Sequence, residues 1–452
     1  MKSTIRLFLS VAIIVTGLGS TVAAQTGPLQ VGAAKVDITH FGYPDGEVPI
    51  TAYEHERLYM RAILLDNGET RAALIGSDTS GLDGVWEIAS PLISEEFEIP
   101  VQHILMSAQH THGARMDNAQ GFTNAILKAL ALAETGLQPA RMGYGEGSAY
   151  LNANRNVIDK ETRRWTQDTN LDAYSDKTVA VLAFYDPQGA PIAGYMNYAM
   201  HPVTSYLTGI ITADFPGAAS RHVEQAFGDK TIMIFSKGLE GDQNPRTLRP
   251  GTNVMASLSG VEVTGFELVR EQVETPFRDR RLEGDVRNPV LDRAFMEWVQ
   301  AQGMVLGEEA IRVMSHMDRL QDDVRIAGSQ MVLACPGRDL VERVPRGDPG
   351  TYRDGPDAHI QMGLIGINDV AIGSITSDAF AIIGKKIKEA SPLRKTMLVS
   401  HANLDTDDVG YIYDDAGAGQ NTFQVVQSRL KPGCAETGLV ENFTDMIYDY
   451  LW

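Results

Sequence analysis

Two histidines two residues apart, His110 and His112 in Gln109-His110-Thr111-His112-Gly113, are the first residues here whose type and spacing suggest chemistry. They follow residues 101–107, an apolar run that reads as a buried strand. On an extended backbone, residues i and i+2 point to the same side, so both imidazoles can face one site. Imidazole is the commonest protein ligand for transition metals and the commonest general acid–base near neutral pH. Alone, the pair reads equally well as two polar residues in a loop. A pattern repeated along the chain adds weight. Asp78, His110, His201, Glu240 with Asp242, and Asp378 each lie at the carboxyl end of an apolar strand. Layered α/β folds bind their ligands at such ends. The expected result is a shared rim of histidines and carboxylates. Two imidazoles, a carboxylate and an open position make a workable catalytic zinc site.

The elements that must position these residues are legible as alternating strands and helices. Strands are expected at 31–39, at 58–65 and 71–77 around Asp66-Asn67-Gly68, at 178–185 and 192–200, and at 231–235, 370–375 and 396–400. Helical spacing marks 119–136, 380–389 and 439–451, and residues 256–320 are mainly helical in pattern. Residues 152–156 read as a polar loop. Residues 335–358, rich in Pro, Gly, Arg and Asp, read as a long loop or a cover over the site. With no repeat and no linker that splits the chain, the expectation is an α/β protein with one large domain over 25–452.

The formal charge of −19 argues against nucleic acid and against adsorption to anionic membranes, both of which want a basic surface. Residues 1–24 have the three parts of a secretory signal peptide: a basic head, an apolar run over 7–18, and Val22-Ala23-Ala24 at the exit. The expectation is a periplasmic or secreted protein starting near Gln25, with no later membrane span. Cys335 and Cys434 stand alone without zinc-site spacing, and either a disulfide or two buried thiols fits them. The oligomeric state is not readable.

Five motifs in order resemble the catalytic domain of the neutral/alkaline, non-lysosomal ceramidases. They are Val31-Gly32-Ala33-Ala34-Lys35-Val36-Asp37-Ile38-Thr39, Gln109-His110-Thr111-His112-Gly113, Asn197-Tyr198-Ala199-Met200-His201-Pro202-Val203-Thr204, Thr212-Ala213-Asp214-Phe215-Pro216-Gly217 and Gly241-Asp242-Gln243-Asn244-Pro245. The resemblance runs from about Val31 to the end. It implies layered mixed β-sheets flanked by helices, one zinc ion, and hydrolysis of an N-acyl amide in a ceramide-like or other lipid-like substrate. It implies His110, His201, Asp378 and Tyr411 as zinc ligands, with Tyr413 as the alternative tyrosine. It implies His112 near the reacting carbonyl and Arg155 as the residue that orients or polarises the substrate; Asp242 and Glu240, at a strand end beside these ligands, are read as candidates that fix ligand orientation. The family carries a glutamate where this chain has Asp378, and a serine where it has Asn244. The expected member lacks the family's carboxyl-terminal immunoglobulin-like domain. Two other functions stay open: a zinc hydrolase of an ester, lactone or sugar-derived amide, and a non-catalytic exported binding protein with a decayed site.

Overall fold

Three strand–helix–strand crossovers, one in each of three principal sheets, organise this protein. The computed structural model describes residues 25–43, 48, 52–114, 116–205, 210–248, 289–342, 344, 347–403 and 409–452. In the first sheet, strand Arg71–Ser77 leads through helix α1 (Val85–Phe97) to the parallel strand Ile104–Ala108. Strands Tyr59–Asp66 and Gln30–Asp37 extend that sheet antiparallel, and helix α2 (Ala119–Thr135) packs on its outer face. In the second, strand Pro191–Tyr198 leads through α3 (Asp214–Ala226) to the parallel strand Ile232–Lys237, with α4 (Pro289–Ser315) outside. In the third, strand Val370–Ile375 leads through α5 (Ala381–Ala390) to the parallel strand Lys395–Val399, with α6 (Ala435–Leu451) outside.

The strands are apolar on both faces because both are covered. One face of each crossover meets the other two sheets. Leu74, Leu105, Tyr195, Ile234, Ile372 and Val399, one from each parallel strand, belong to a single buried cluster. The opposite faces pack on the helices. Six parallel strand ends are thereby brought towards one region, which is the layered α/β architecture expected from the sequence.

Local chemistry sets the helix boundaries. The Asn118 side chain accepts the Gly121 amide at 2.9 Å and caps α2, which stops at Gly136. Helix α3 tolerates Pro216 because it lies in the first turn, where the missing N–H has no partner to lose.

Several expectations need correction. Residues 335–358 are not an irregular loop; they hold an antiparallel hairpin, Arg338–Glu342 with Thr351–Asp354. The polar run 152–156 is part of strand Asn152–Ile158, paired with Gln243–Pro245 and Trp165–Asn170. Its three asparagines hide it, because their side chains hydrogen-bond inside the protein instead of facing water: Asn152 and Asn154 donate to Ala199 O and Asp242, and Asn156 accepts from Gln424. The strands Asp323–Cys335 and Ala358–Ile367 form the longest antiparallel pair, and neither is anticipated. Cys335 and Cys434 form a disulfide across a separation of 99 residues, joining the end of one of those strands to the start of α6. Helix α4 accounts for the later part of the helical expectation over 256–320, whose earlier part lies outside the described residues, as does the expected signal peptide. Among the described residues, no helix is long and apolar enough to cross a membrane.

Candidate metal centre

The carboxyl ends of five of the six parallel strands deliver side chains to one buried cluster. His110 follows Ile104–Ala108, His201 follows Pro191–Tyr198, Lys237 ends Ile232–Lys237, Asp378 follows Val370–Ile375, and His401 follows Lys395–Val399. Backbone hydrogen bonds lock these ends to one another. The His201 amide donates to Gln243 O at 3.0 Å, the Ser400 amide to Lys237 O at 3.0 Å, and the His112 amide to Pro202 O at 3.1 Å. His110 and His401 hold φ of 65° and 49°, a left-handed conformation that non-glycine residues rarely adopt. Such outliers cost about 1–3 kcal/mol each and persist where the surroundings enforce them, commonly at functional sites.

The ring nitrogens show where each histidine points. His110 Nδ1 lies 2.7 Å from Ser80 O and His201 Nδ1 lies 3.1 Å from Glu240 O. A carbonyl can only accept, so each Nδ1 carries the proton and each Nε2 presents its lone pair. Those two Nε2 atoms lie 3.7 and 3.6 Å from one atom, Asp378 Oδ2. His201 is fully buried, and its Nε2 has no hydrogen-bond partner. Ligands placed tetrahedrally about a zinc ion at 2.0–2.1 Å stand about 3.4 Å apart. Each imidazole–carboxylate pair is therefore close to the spacing that a shared metal needs, and three overlapping groups, His110 with His112 and His201, His110 with Asp378 and His401, and His201 with Glu240 and Asp378, each bring candidate ligand atoms within 4.8 Å of one another.

Electrostatics favour the ligating forms. Burial holds both His110 and His201 well below the usual imidazole range, with Lys237 adding to the effect at His110 and Arg155 at His201. Burial alone would raise the Asp378 carboxyl, but His401 and Lys237 beside it hold it well below the usual carboxylate range. Burial, reinforced by Asp378, pushes Glu240 well above it.

His112 stands on the same rim. Its ring centroid is 5.0 Å from His110 and 5.9 Å from His201, and the three histidines can each offer a nitrogen within 4.8 Å of the others. Tyr411 is the register partner of Asp378 in a two-residue parallel ladder. Its hydroxyl is pushed up to about 12 by burial, which the Arg155 guanidinium partly offsets. Tyr413 points elsewhere, donating to Leu430 O at 2.7 Å and packing on Phe380 and Val425. Of the two tyrosines, Tyr411 is the one beside the cluster.

Other expected residues lie close by with different orientations. Arg155 donates to Gly241 O at 2.5 Å and Asn244 Oδ1 at 3.2 Å, and its guanidinium lies 5.5 Å from the Tyr411 ring centre. Asp242 accepts from the Ala381 amide, Gln243 and Asn154 at 2.9, 2.8 and 2.6 Å, so its carboxylate pins the start of α5 and does not face the histidines. Asp78 is at a strand end as expected but not on the rim. Both its oxygens accept from Arg61 Nη1, at 2.8 and 2.7 Å.

Sequence reasoning assigned nothing to Lys237 or His401. Both end parallel strands, and the rule that singled out His110 extends to them.

Gly241 explains how the short Asp378 side chain reaches the cluster. A Cβ at 241 would lie 2.8 Å from Asp378 O and 3.0 Å from Ala379 O. Without one, the Gly241 amide donates to Ala379 O at 2.8 Å and draws the Asp378 segment inwards.

No family model matches the sequence. The neutral ceramidase of Pseudomonas aeruginosa is 23% identical over 277 residues, covering 53% of this chain and 40% of that protein. The match thus spans less than half the length of that relative. The fold agrees more widely. A ceramidase solved in complex with C2 superposes with a TM-score of 0.66 at 14% identity, covering 93% of this chain and 75% of that one. The crystal structure of the P. aeruginosa neutral ceramidase gives 0.65 at 13% identity, with 94% and 75% covered. The chain has a neutral ceramidase-like fold. The ceramidase-like fold accounts for the mixed sheets in a single α/β domain.

Proposed function

We propose that this ceramidase-like chain is an exported zinc-dependent hydrolase of N-acyl amides. One observation carries the reading: Asp378 Oδ2 lies 3.7 and 3.6 Å from the Nε2 atoms of half-buried His110 and buried His201, whose opposite nitrogens are already committed to carbonyls. Acceptor atoms turned towards one another need a cation or a proton donor between them, and a metal ion meets all of them at once. His110, His201 and Asp378 would hold the ion, with Tyr411 the fourth ligand. When bound, zinc supplies Lewis acidity and brings the pKa of water towards neutrality.

The chain's own residues do the rest. His112, beside both ligand histidines, carries the proton to the leaving nitrogen. Arg155 orients the Tyr411 hydroxyl, and its contacts to Gly241 and Asn244 fix it for that task. Asp242 holds the start of α5, immediately after Asp378, in place. The Cys335–Cys434 disulfide supports export, because such bonds persist in oxidising compartments.

The test is metal analysis of the mature protein with a panel of N-acyl lipids, simple esters, lactones and acylated sugars. Stoichiometric zinc and preferential amide cleavage are expected, on protein that begins near Gln25. Absence of zinc after mild purification favours a binding protein, and ester or lactone turnover without amide turnover changes the substrate class.

A further inference from the structure

The two oxygens of Asp378 are treated differently by the protein. Oδ2 faces His110 and His201. Oδ1 accepts from Lys237 Nζ at 2.7 Å and lies 3.0 Å from His401 Nε2. Lys237 is fully buried, an unusual place for an ammonium. It cannot swing, because Glu240 Oε1 holds it at 2.6 Å on the other side. Glu240 is itself fixed: its Oε2 lies 2.6 Å from Ser400 Oγ, which donates to Gly238 O at 2.6 Å. Ser400, Glu240, Lys237 and Asp378 thus form a chain of buried polar contacts that ends on one carboxylate oxygen.

We propose that Lys237 is a positioning residue for the metal: with His401 it occupies Oδ1 of Asp378, so that the carboxylate offers the ion Oδ2 alone. This inference rests on the metal reading above. Without the clamp, both oxygens would be free to turn towards the ion, and the carboxylate would chelate. With it, the ligand is monodentate and a coordination position stays open for substrate, which a catalytic zinc site requires. The clamp also sets the direction of a side chain too short to be steered by its own length. A partner that orients a metal ligand typically changes metal affinity by about 10–100-fold when removed.

The experiment uses the full mature chain and three variants: Lys237→Met, the double variant Lys237→Met/Glu240→Gln, and His401→Leu. The double variant replaces Lys237 and its partner carboxyl together, so no carboxyl is left beside the new methionine, and it keeps the test open where the single change does not fold. His401 is partly exposed and tolerates its change best. Two quantities are read on protein shown to be folded by circular dichroism: zinc affinity by competition with a chromogenic chelator, and the visible spectrum of the cobalt(II)-substituted form. Zinc affinity should change by about 10–100-fold in both Lys237 variants, and by nearer the lower end in His401→Leu. The cobalt spectrum should change in the Lys237 variants, because the second carboxylate oxygen would take up the position otherwise left open or add a bond to the metal. Wild-type affinity together with a wild-type cobalt spectrum in any folded Lys237 variant, or in His401→Leu if neither Lys237 variant folds, overturns the clamp while leaving the metal reading intact. A wild-type chain that binds no zinc overturns both.

Discussion

Against the first sheet, Arg61, Lys35 and Arg221 surround Asp78 and Glu224; at the meeting of the three sheets, Lys237 sits among Asp378, Glu240 and the histidines. Both clusters are buried, and both draw on strand ends. They differ in what faces what. In the first, every carboxylate oxygen meets a proton donor. Arg61 Nη1 donates to both oxygens of Asp78, Arg61 Nε donates to Glu224 Oε1 at 3.1 Å, and Lys35 and Arg221 both reach Glu224 Oε2 at 2.5 Å. In the second, Asp378 Oδ2 and two imidazole lone pairs face one another with no proton between them. Burial of charge is therefore a poor guide to function on its own, because a closed network of donors and acceptors gives it too. Convergence of acceptors is the better guide, since a bound cation satisfies several of them at once.

The sharpest way to break this contrast is to remove an acceptor. His110→Ala and His201→Ala should each abolish zinc binding and hydrolysis while leaving the protein folded, as read by metal content and circular dichroism. Full zinc retention in both would mean the acceptors do not serve a metal. The next largest effect belongs to the other cluster. Arg61→Met leaves Asp78 and Glu224 without their shared partner and should cost roughly 3–5 kcal/mol in urea unfolding, with zinc stoichiometry of the folded protein unchanged. Loss of zinc there would show that the two clusters are not independent. The smallest effect sharpens the comparison inside the metal centre. Asp378→Glu adds a methylene where Gly241 has already brought the backbone close, so zinc affinity should fall by about tenfold as Lys237 and His401 lose their oxygen. Unchanged or improved affinity would mean that Asp378 does not bind the ion directly.

The sequence reveals the buried elements better than the half-buried ones. Strands 71–77, 178–185 and 370–375 coincide with the structure, because both faces are apolar and their ends are marked by turns. Helix α1 carries Pro91 in its interior, which breaks the helical signal that its apolar spacing would give. Helix α3 opens with Asp214-Phe215-Pro216-Gly217, which reads as a turn. Strand Asp323–Cys335 is partly exposed along much of its length and lacks a clean alternation. For the site, position at a strand end was legible, but orientation was not. Asp78 and Asp378 share the same strand-end signature. Arg61, 17 residues away across an antiparallel pair, claims one of them, and only the fold shows which.

The disulfide divides the metal centre in a way that chain order conceals. Asp378, His401 and Tyr411 lie between Cys335 and Cys434, in a covalently closed ring; His110, His201 and Lys237 lie outside it. The centre is thus a seam between a closed loop of chain and the segment that enters that loop at Cys335. A protease that cuts the hairpin within 338–354 opens the ring without releasing either piece. The nicked molecule keeps all its ligands on one covalent body, migrates as a single species until reduced, and can outlast a wound that would dismember an unbridged chain.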